Sequence, residues 1–497
     1  MAYRDLREWI NRLEKEGELA SVKTQVDWNL EIGGIIQEVY NQRGPALLFE
    51  NIKGYQNTPC RKLLANATGS YRRIAMMMGL PGDTPPQELI RVFMRRTKKP
   101  VKPVMVKEAP VKENVVKGDA VNLLDFPTPK WHSRDGNRYI GTLHGVVTKD
   151  PETGWENVGT YRSMIQDRSH TGMSVLHGQH IWHHWRKHKK MGRKTMPTAV
   201  VIGWDPVLPM IAASGIPLGV DEYDVMGALR EEPVELVRCE TSDLRVPATA
   251  EIVLEGEINL DIASLREEGP FGEYTGYYGS GKPGLAPVFT VNCVTYRNDP
   301  IFQGTLIAPP PDEHHWMEAV NHSANVWDEL NKHMVGVTGV NVDPSTGWAN
   351  VFVQIDNSYI GQVQQVAAAI WASGISTMVG KNIMVVDTDI DIFDLGKLNW
   401  AFAYRVDPKR DLIPYPGWVS PLDPVIHPKD RVPRADVQMG TRLLIDATKK
   451  LTNPRTDQWF GERFAPTCYP DEETTRLVKS RWQEYGITSS NECRRSG

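Results

Sequence analysis

The sequence predicts an α/β fold in which mixed segments lie at either end of a β-rich middle. Three observations lead there. From about residue 115 to 305, the runs "TAVVIGW", "AEIVLEGEI" and "PVFTVNCVTYR" are rich in strand-forming residues and bounded by Pro, Gly and Asp. Beyond about residue 312 the texture changes. There "DEHHWMEAVNHSANVWDELNKH" reads as a long helix, and "ANVFVQI", "SYIGQVQQVAAAIWAS" and "NIMVVDTDIDIF" follow as strand, helix and strand. Finally, 497 residues at roughly 100–200 per domain suggest two to four domains, with ample core and no need of covalent staples.

The elements can be justified in chain order. In "MAYRDLREWINRLEKEGEL", Leu6, Trp9, Ile10 and Leu13 recur at helical spacing and Gly17 stops the run, which predicts an amphipathic helix. The Pro-, Lys- and Val-rich "KKPVKPVMVKEAPVKENVVKG" predicts a strand-like connector. The β-rich middle is large enough for a barrel or sandwich, with one helical insertion at "QHIWHHWRKHKKMG". A separate α/β domain is expected from about 335 to 460. Pro470-Asp471 opens a last helix with Leu477, Val478, Trp482 and Tyr485 on its apolar side, suited to docking on a neighbouring subunit.

Composition excludes several classes. Lys and Arg number 57 and Asp and Glu 61, a net charge of −4, so neither nucleic acid nor an anionic membrane surface is indicated as a partner. Cys60, Cys239, Cys293, Cys468 and Cys493 are scattered and form no CxxC pair. That gives neither a disulfide framework nor a cysteine zinc site, and it fits a reducing cytoplasm. No apolar run reaches the ~18 residues of a membrane-spanning helix, and the N-terminus lacks the apolar region of a signal peptide.

Several motifs read as structural. "GYYGSGKPG" contains a literal GxGxxG and almost a Walker A. Pro283 stands where a magnesium-binding hydroxyl is needed and no strand-then-helix context surrounds it, so it predicts a hairpin loop. "DTDIDIFD" begins like a calcium loop, but Ile392 occupies the position that needs Gly. Among His177, His180, His183, His184 and His188, the pair His180 and His184 shares a helix face. No HExxH accompanies them, and their interleaving with Trp182 and Trp185 reads as an ordinary helix surface. In "REEGPFGEYTGYYG", Glu268 and Glu273 flank Gly269-Pro270-Phe271-Gly272. Spacing leaves three readings open: turn acids meeting nearby cations, the acid and nucleophile of a glycosidase, or a proton-transfer pair tuned through an arginine.

Taken in order, "ENVGTYR", "GQHIW", "GVDEYDVMGALREEPVELV", "VPATAEIVLEGEI" and "EGPFGEYTGYYG" closely resemble the UbiD family of reversible decarboxylases. "IDIFDLGKLNWAFAYR" extends the likeness toward the C-terminus. The resemblance implies a split β-barrel domain that binds prenylated FMN and a smaller C-terminal α/β oligomerisation domain. The expected division is an N-terminal α/β segment over 1–110, the flavin domain over 111–310, a linker helix over 311–334, the oligomerisation domain over 335–460 and a helical tail over 461–497. The implied activity is non-oxidative decarboxylation of an aromatic, heteroaromatic or α,β-unsaturated carboxylic acid, with the physiological direction open. Carbon dioxide and a flavin prenyltransferase, as cofactor supplier, are the implied partners of a cytoplasmic homo-oligomer.

The resemblance also assigns residues. Asn157, His180 and Glu222 match ligands of a Mn2+ or Mg2+ ion at the flavin phosphate, with K+ nearby. Two hard oxygens and one imidazole suit such an ion. Gln179 and Ser214 match positions lining the flavin, Lys397 matches a lysine on its phosphate, and Arg162 lies beside both flavin and substrate. Glu268, Arg162 and Glu273 match a catalytic network in which Arg162 anchors the substrate carboxylate. Glu273 donates the proton once carbon dioxide has left, and Glu268 pairs with Arg162. The cofactor supplies the electron sink. "GTLIAPPPDEHHWM" and "LLIDATKK" fall near the family's substrate, where His314, His315 and Trp316 could meet a polar aromatic acid or simply pack a helix. The rivals are a metal-dependent hydrolase and a non-catalytic flavin-binding subunit, the latter disfavoured by the intact Glu268, Arg162 and Glu273.

Overall fold

A computed structural model describes residues 3–374, 378–431 and 438–487. The chain forms two compact units, Met1–Asp356 with Gly361–Thr448 and Asn357–Ile360 with Lys449–Gly497.

The first unit opens with the expected helix, Leu6–Lys15, whose Asp5 cap accepts from the Glu8 N–H and whose Leu6, Trp9, Ile10 and Leu13 are buried. Behind it lies a four-stranded sheet in the order Leu19–Val22, Ala46–Phe49, Lys62–Ala65 and Ile301–Gln303. The last strand returns from beyond the middle of the chain to pair in parallel with Lys62–Ala65.

The β-rich middle forms one nine-stranded sheet, curled into a half-barrel. Its order is Tyr139–Gly141, Ser163–Ile165, His170–Met173, Val288–Tyr296, Ile252–Asn259, Thr195–Ile202, Gly145–Lys149 and Glu156–Gly159, and Asn114–Lys117 pairs with Val288–Tyr296 off that path. The central strands pair over long spans, with Thr195 opposite Asn259 at one end and Ile202 opposite Ile252 at the other. Arg266–Glu268 and Gly284–Ala286 form a small hairpin, so "GYYGSGKPG" falls in its loop.

Helix Glu313–His333 leads into a five-stranded sheet in the order Val337–Val342, Asn350–Ile355, Asn382–Asp387, Gln438–Asp446 and Leu412–Val419. Asn350–Ile355 and Asn382–Asp387 are parallel and joined through helix Gln362–Ala372, the predicted strand–helix–strand unit. Alternation puts Val351, Val353, Ile383 and Val385 in the main core with Val366 and Ile370. The opposite face sends Phe352, Met384 and Val386 against Leu398 and Ala401 of helix Leu395–Arg405. In "DTDIDIFD", Asp389 is paired with Arg405 at 2.9 and 2.8 Å.

The second unit contains helix Glu472–Ser480, capped by Asp471, and a 3-10 turn at Trp482–Tyr485. Leu477, Trp482 and Tyr485 are exposed. The remainder of the expected tail, with Cys493, lies outside the described residues. Among the described residues, no helix is long and apolar enough to cross a membrane.

Candidate active site

One strand and two helix starts converge on Asn157, His180 and Glu222. Asn157 lies in Glu156–Gly159, His180 opens helix His180–Lys190 and Glu222 opens helix Glu222–Arg230. His180 Nδ1 is 3.1 Å from Asn157 Oδ1 and 3.7 Å from Glu222 Oε1. The second Glu222 oxygen accepts the Val158 N–H at 3.0 Å. Tyr161 fixes the amide: its hydroxyl accepts from Asn157 Nδ2 at 3.3 Å, which turns Oδ1 toward the imidazole. Gly159 makes room for this, since a Cβ there would sit 2.4 Å from the Tyr161 hydroxyl. Trp155 stands edge-on to both His180 and His184.

Burial raises the Glu222 carboxyl above its usual range and the bond to His180 draws it back. A cation held between these groups would favour its ionised form. One amide oxygen, one carboxylate and one imidazole fit Mn2+ or Mg2+ with further oxygens from a phosphate. The other buried histidines of the helix serve the core. His184 Nδ1 meets the Thr148 hydroxyl at 2.9 Å and His188 Nε2 meets the Lys149 carbonyl at 3.1 Å.

The next residue after Tyr161 belongs to a second group. Arg162 Nε and Nη2 each donate to one Glu268 oxygen at 2.9 Å, and Nη1 donates to Glu273. Both carboxylates are buried, while the Arg162 side chain is about a quarter exposed. Its guanidinium lies 5.3 Å from the centre of the Phe271 ring. The loop between the acids needs its two glycines for different reasons. Gly269 has φ +91°, which a side chain would strain. Gly272 is needed for space, because a Cβ would lie 2.7 Å from the His132 ring.

Two sets of contacts brace this loop. On one side, Asp135 Oδ1 accepts the Gly272 N–H at 3.1 Å, the Gly136 N–H donates to the Pro270 carbonyl at 2.8 Å, and the Tyr139 hydroxyl donates to Glu268 Oε1 at 2.9 Å. On the other, His315 Nε2 donates to the Tyr274 carbonyl at 2.7 Å. The Tyr274 and Ser420 hydroxyls share a bond of 2.7 Å.

The two carboxylates differ electrostatically. Burial pushes the Glu273 carboxyl up, Arg162 pulls it down, and the nearby Glu268 and Asp135 charges push it up again, for a net rise. Burial opposes the charge on Arg162, but Glu273 and Glu268 override it and hold its pKa above the usual value. Glu268 thus has two arginine donors and a tyrosine, whereas Glu273 has one. Such an arrangement can hold a proton on one acid beside a fixed cation able to grip a carboxylate.

The other expected site residues are spread around these groups. Gln179 stands at the N-cap position of helix His180–Lys190, and its Oε1 accepts the Leu176 N–H at 2.8 Å. The Ser214 hydroxyl donates to the Ile211 carbonyl at 2.8 Å. That segment runs beside the Asn157–Arg162 strand end, since the Thr160 N–H donates to the Ala212 carbonyl at 3.0 Å. Lys397 sits on helix Leu395–Arg405, where its backbone N–H donates to Asp394 Oδ1 at 3.1 Å and its Nζ lies 5.9 Å from the centre of the Trp400 ring. His314 packs edge-on against Trp348 and Trp316 against Tyr71. His315, expected either near the substrate or in helix packing, instead braces the Tyr274 carbonyl, and Asp135, Tyr139 and Tyr161 were not among the expected residues. Each reaches the site through partners distant in sequence or through its own backbone geometry, which no local motif signals.

Profiles of the 3-octaprenyl-4-hydroxybenzoate carboxy-lyase (UbiD) family match the chain in three parts. These are its N-terminal domain over residues 10–93, its Rift-related domain over 102–310 and its C-terminal domain over 315–447. The pyrrole-2-carboxylic acid decarboxylase of Pseudomonas aeruginosa is 34% identical over 511 residues, covering 97% of this chain and 98% of the relative. The vanillic acid decarboxylase of Sedimentibacter hydroxybenzoicus, in its open form, superposes with a TM-score of 0.84 at 29% identity over 98% of this chain and 100% of that one. An evolved dimeric form of the UbiD-class enzyme HmfF from Pelotomaculum thermopropionicum, in complex with prFMN, gives 0.77 at 29% identity over 91% of this chain and 97% of that one. On its matched domains, full-length relatives and fold, this chain belongs to the UbiD family of carboxy-lyases.

Proposed function

We propose that the protein is a prenylated-FMN-dependent decarboxylase of an aromatic, heteroaromatic or α,β-unsaturated carboxylic acid, with Glu273 as proton donor, Arg162 as carboxylate anchor and Glu268 as its fixed counter-ion. The observation that carries the reading is the asymmetric grip of one arginine on two buried carboxylates. Similarity to a pyrrole-2-carboxylic acid decarboxylase and to a vanillic acid decarboxylase supports a planar, unsaturated acid as substrate.

In this reading Asn157, His180 and Glu222 hold Mn2+ or Mg2+ against the flavin phosphate, with K+ nearby, and Gln179, Ser214 and Lys397 contact the flavin. The bound cofactor supplies the electron sink for loss of carbon dioxide. The protein residues do the rest. Arg162 orients the acid, the apolar walls around Phe271 and Tyr139 exclude water, and Glu273 delivers a proton to the carbon that carried the carboxylate. A flavin prenyltransferase supplies the cofactor in the cytoplasm. The flavin domain spans about 111–310 and the oligomerisation domain about 335–460, and the working form is a homo-oligomer.

Protein produced together with a flavin prenyltransferase tests the proposal. A flavin absorption spectrum, and carbon dioxide release from one member of a panel of pyrrole, phenolic and acrylic acids, are expected. Protein that takes up no flavin would overturn it.

A further inference from the structure

We infer that Tyr139 and Asp135, on one short segment outside the hairpin, are positioning residues that assign different jobs to the two glutamates. Tyr139 commits Glu268 to its pairing with Arg162, and Asp135 keeps the proton on Glu273. The inference rests on the decarboxylase reading above and deepens it.

The geometry is specific. Glu268 Oε1 already accepts Arg162 Nε, and the Tyr139 hydroxyl adds another donor at 2.9 Å. Tyr139 is fully buried, with its ring 4.3 Å from that of Phe271 in the loop between the acids. Three donors on one carboxylate fix its place beside Arg162. Asp135 works on the other acid. Its Oδ1 takes the Gly272 N–H at 3.1 Å, the residue before Glu273, and its Oδ2 takes the His132 N–H at 3.0 Å. Asp135 is itself 3% exposed, so its charge acts on Glu273 with little screening. The Gly136 N–H on Pro270, and Gly136 itself, where a Cβ would lie 2.0 Å from the Gly269 carbonyl, press the same segment onto the loop.

The charged groups acting on Glu273 are Arg162, Glu268 and Asp135. The titratable groups on the other packed elements are committed elsewhere. The His132 ring meets Asp135 at 3.2 Å, His315 holds the Tyr274 carbonyl, Arg431 donates to the Gly279 carbonyl at 2.7 Å, and Asp423 pairs with Lys381 at 2.7 Å. Glu268 and Glu273 share one arginine, so a change in the Glu268–Arg162 contact changes the charge that Glu273 faces. Whatever loosens the hold of Glu268 on Arg162 leaves more of the guanidinium charge for Glu273, and that, or loss of the Asp135 charge, takes proton occupancy away from Glu273.

The experiment compares Tyr139→Phe and Asp135→Asn with the parent, each made as flavin-loaded full-length protein, by kcat against pH and by exchange of the product proton with solvent deuterium. Glu273 must be protonated to donate, so activity falls as pH rises through its pKa. Both variants should move that alkaline limb to lower pH. Tyr139→Phe should also lower kcat about 10-fold at neutral pH, the order expected for one hydrogen bond to a charged group, with exchange slowed in parallel and flavin content unchanged. A purely structural role would reduce activity equally at every pH. Tyr139→Phe keeps the ring and its packing, so it decides the question alone if Asp135→Asn fails to fold. An unmoved alkaline limb in folded, flavin-loaded Tyr139→Phe would overturn the inference. Glu273→Gln in the same assay separates the two levels. If it is inactive while Tyr139→Phe behaves as the parent, only this inference fails. If it is active, the decarboxylase site assignment fails first and this inference with it.

Discussion

Glu273 keeps one arginine contact where Glu268 has two, and that difference sets the chemistry each acid can do. A buried carboxyl with a raised pKa retains a proton at a pH where an exposed one has lost it. Glu273→Gln preserves volume and the acceptor for Arg162 but has no transferable proton. It is expected to keep flavin and to lose on the order of 10²–10⁴ in turnover, with product-proton exchange lost alongside. A variant that turns over within a few-fold of the parent would mean that another group delivers the proton. At this scale the sequence was legible where residue types and order form motifs: Arg162, Glu268 and Glu273, and the trio Asn157, His180 and Glu222. It was silent on Tyr139 and Asp135, which lie 129 and 137 positions from their partners in the hairpin. An isolated Tyr or Asp in "DGNRYIG" carries no periodicity or spacing to mark it.

Helix ends, more than helix faces, build the site. His180 and Glu222 each occupy the first position of a helix, which brings the His180 imidazole within 3.7 Å of Glu222 Oε1. The amide oxygen, carboxylate and imidazole of Asn157, Glu222 and His180 favour a cation that also takes oxygen ligands. His180→Ala removes the imidazole shared by Asn157 and Glu222 and should lower bound manganese and flavin together, read by metal analysis and absorbance on the same sample. Full occupancy of both would remove His180 from the metal site. The start of helix Glu313–His333 acts differently. Asp312 and His315 form a capping box, and the His315 ring continues from it to the Tyr274 carbonyl, beside Glu273. His315→Leu should therefore cost about 1 kcal/mol of stability through the cap and lower kcat more than it changes KM, since the loop bearing the donor loses its brace. Parent-like kcat in a folded His315→Leu variant would show that the loop holds its shape unaided. The long helices and the strand–helix–strand unit were plain from apolar spacing. The parallel pairing of Ile301–Gln303 with Lys62–Ala65 was not, because a three-residue strand offers too few positions to show alternation.

Across the whole molecule, helix Glu313–His333 leads from the half-barrel into the C-terminal sheet and buries several titratable side chains. Of its side chains, Glu318 and His322 are buried. Glu318 has Asn321 Nδ2 on one oxygen at 2.7 Å, while the other oxygen has no hydrogen-bond partner. Burial pushes the Glu318 carboxyl from 4.5 up to about 8 and the His322 imidazole from 6.5 down to about 3. The two shifts bound stability from opposite sides. A carboxyl whose folded pKa is raised stabilises the fold fully below its unfolded value near 4.5, and that contribution is lost as pH rises through about 8. A histidine whose folded pKa is depressed contributes above 6.5 and loses that contribution as pH falls toward about 3. The melting temperature should therefore peak in mildly acidic to neutral buffer and decline on the alkaline side as Glu318 is forced to ionise inside the core. Glu318→Gln cannot ionise and still offers an oxygen to Asn321. It should match or fall slightly below the parent near pH 5 and exceed it at pH 8 to 9, with a flatter alkaline slope. Thermal melts of both proteins across that range decide the matter, and an equally steep alkaline decline in Glu318→Gln would place its source in another group.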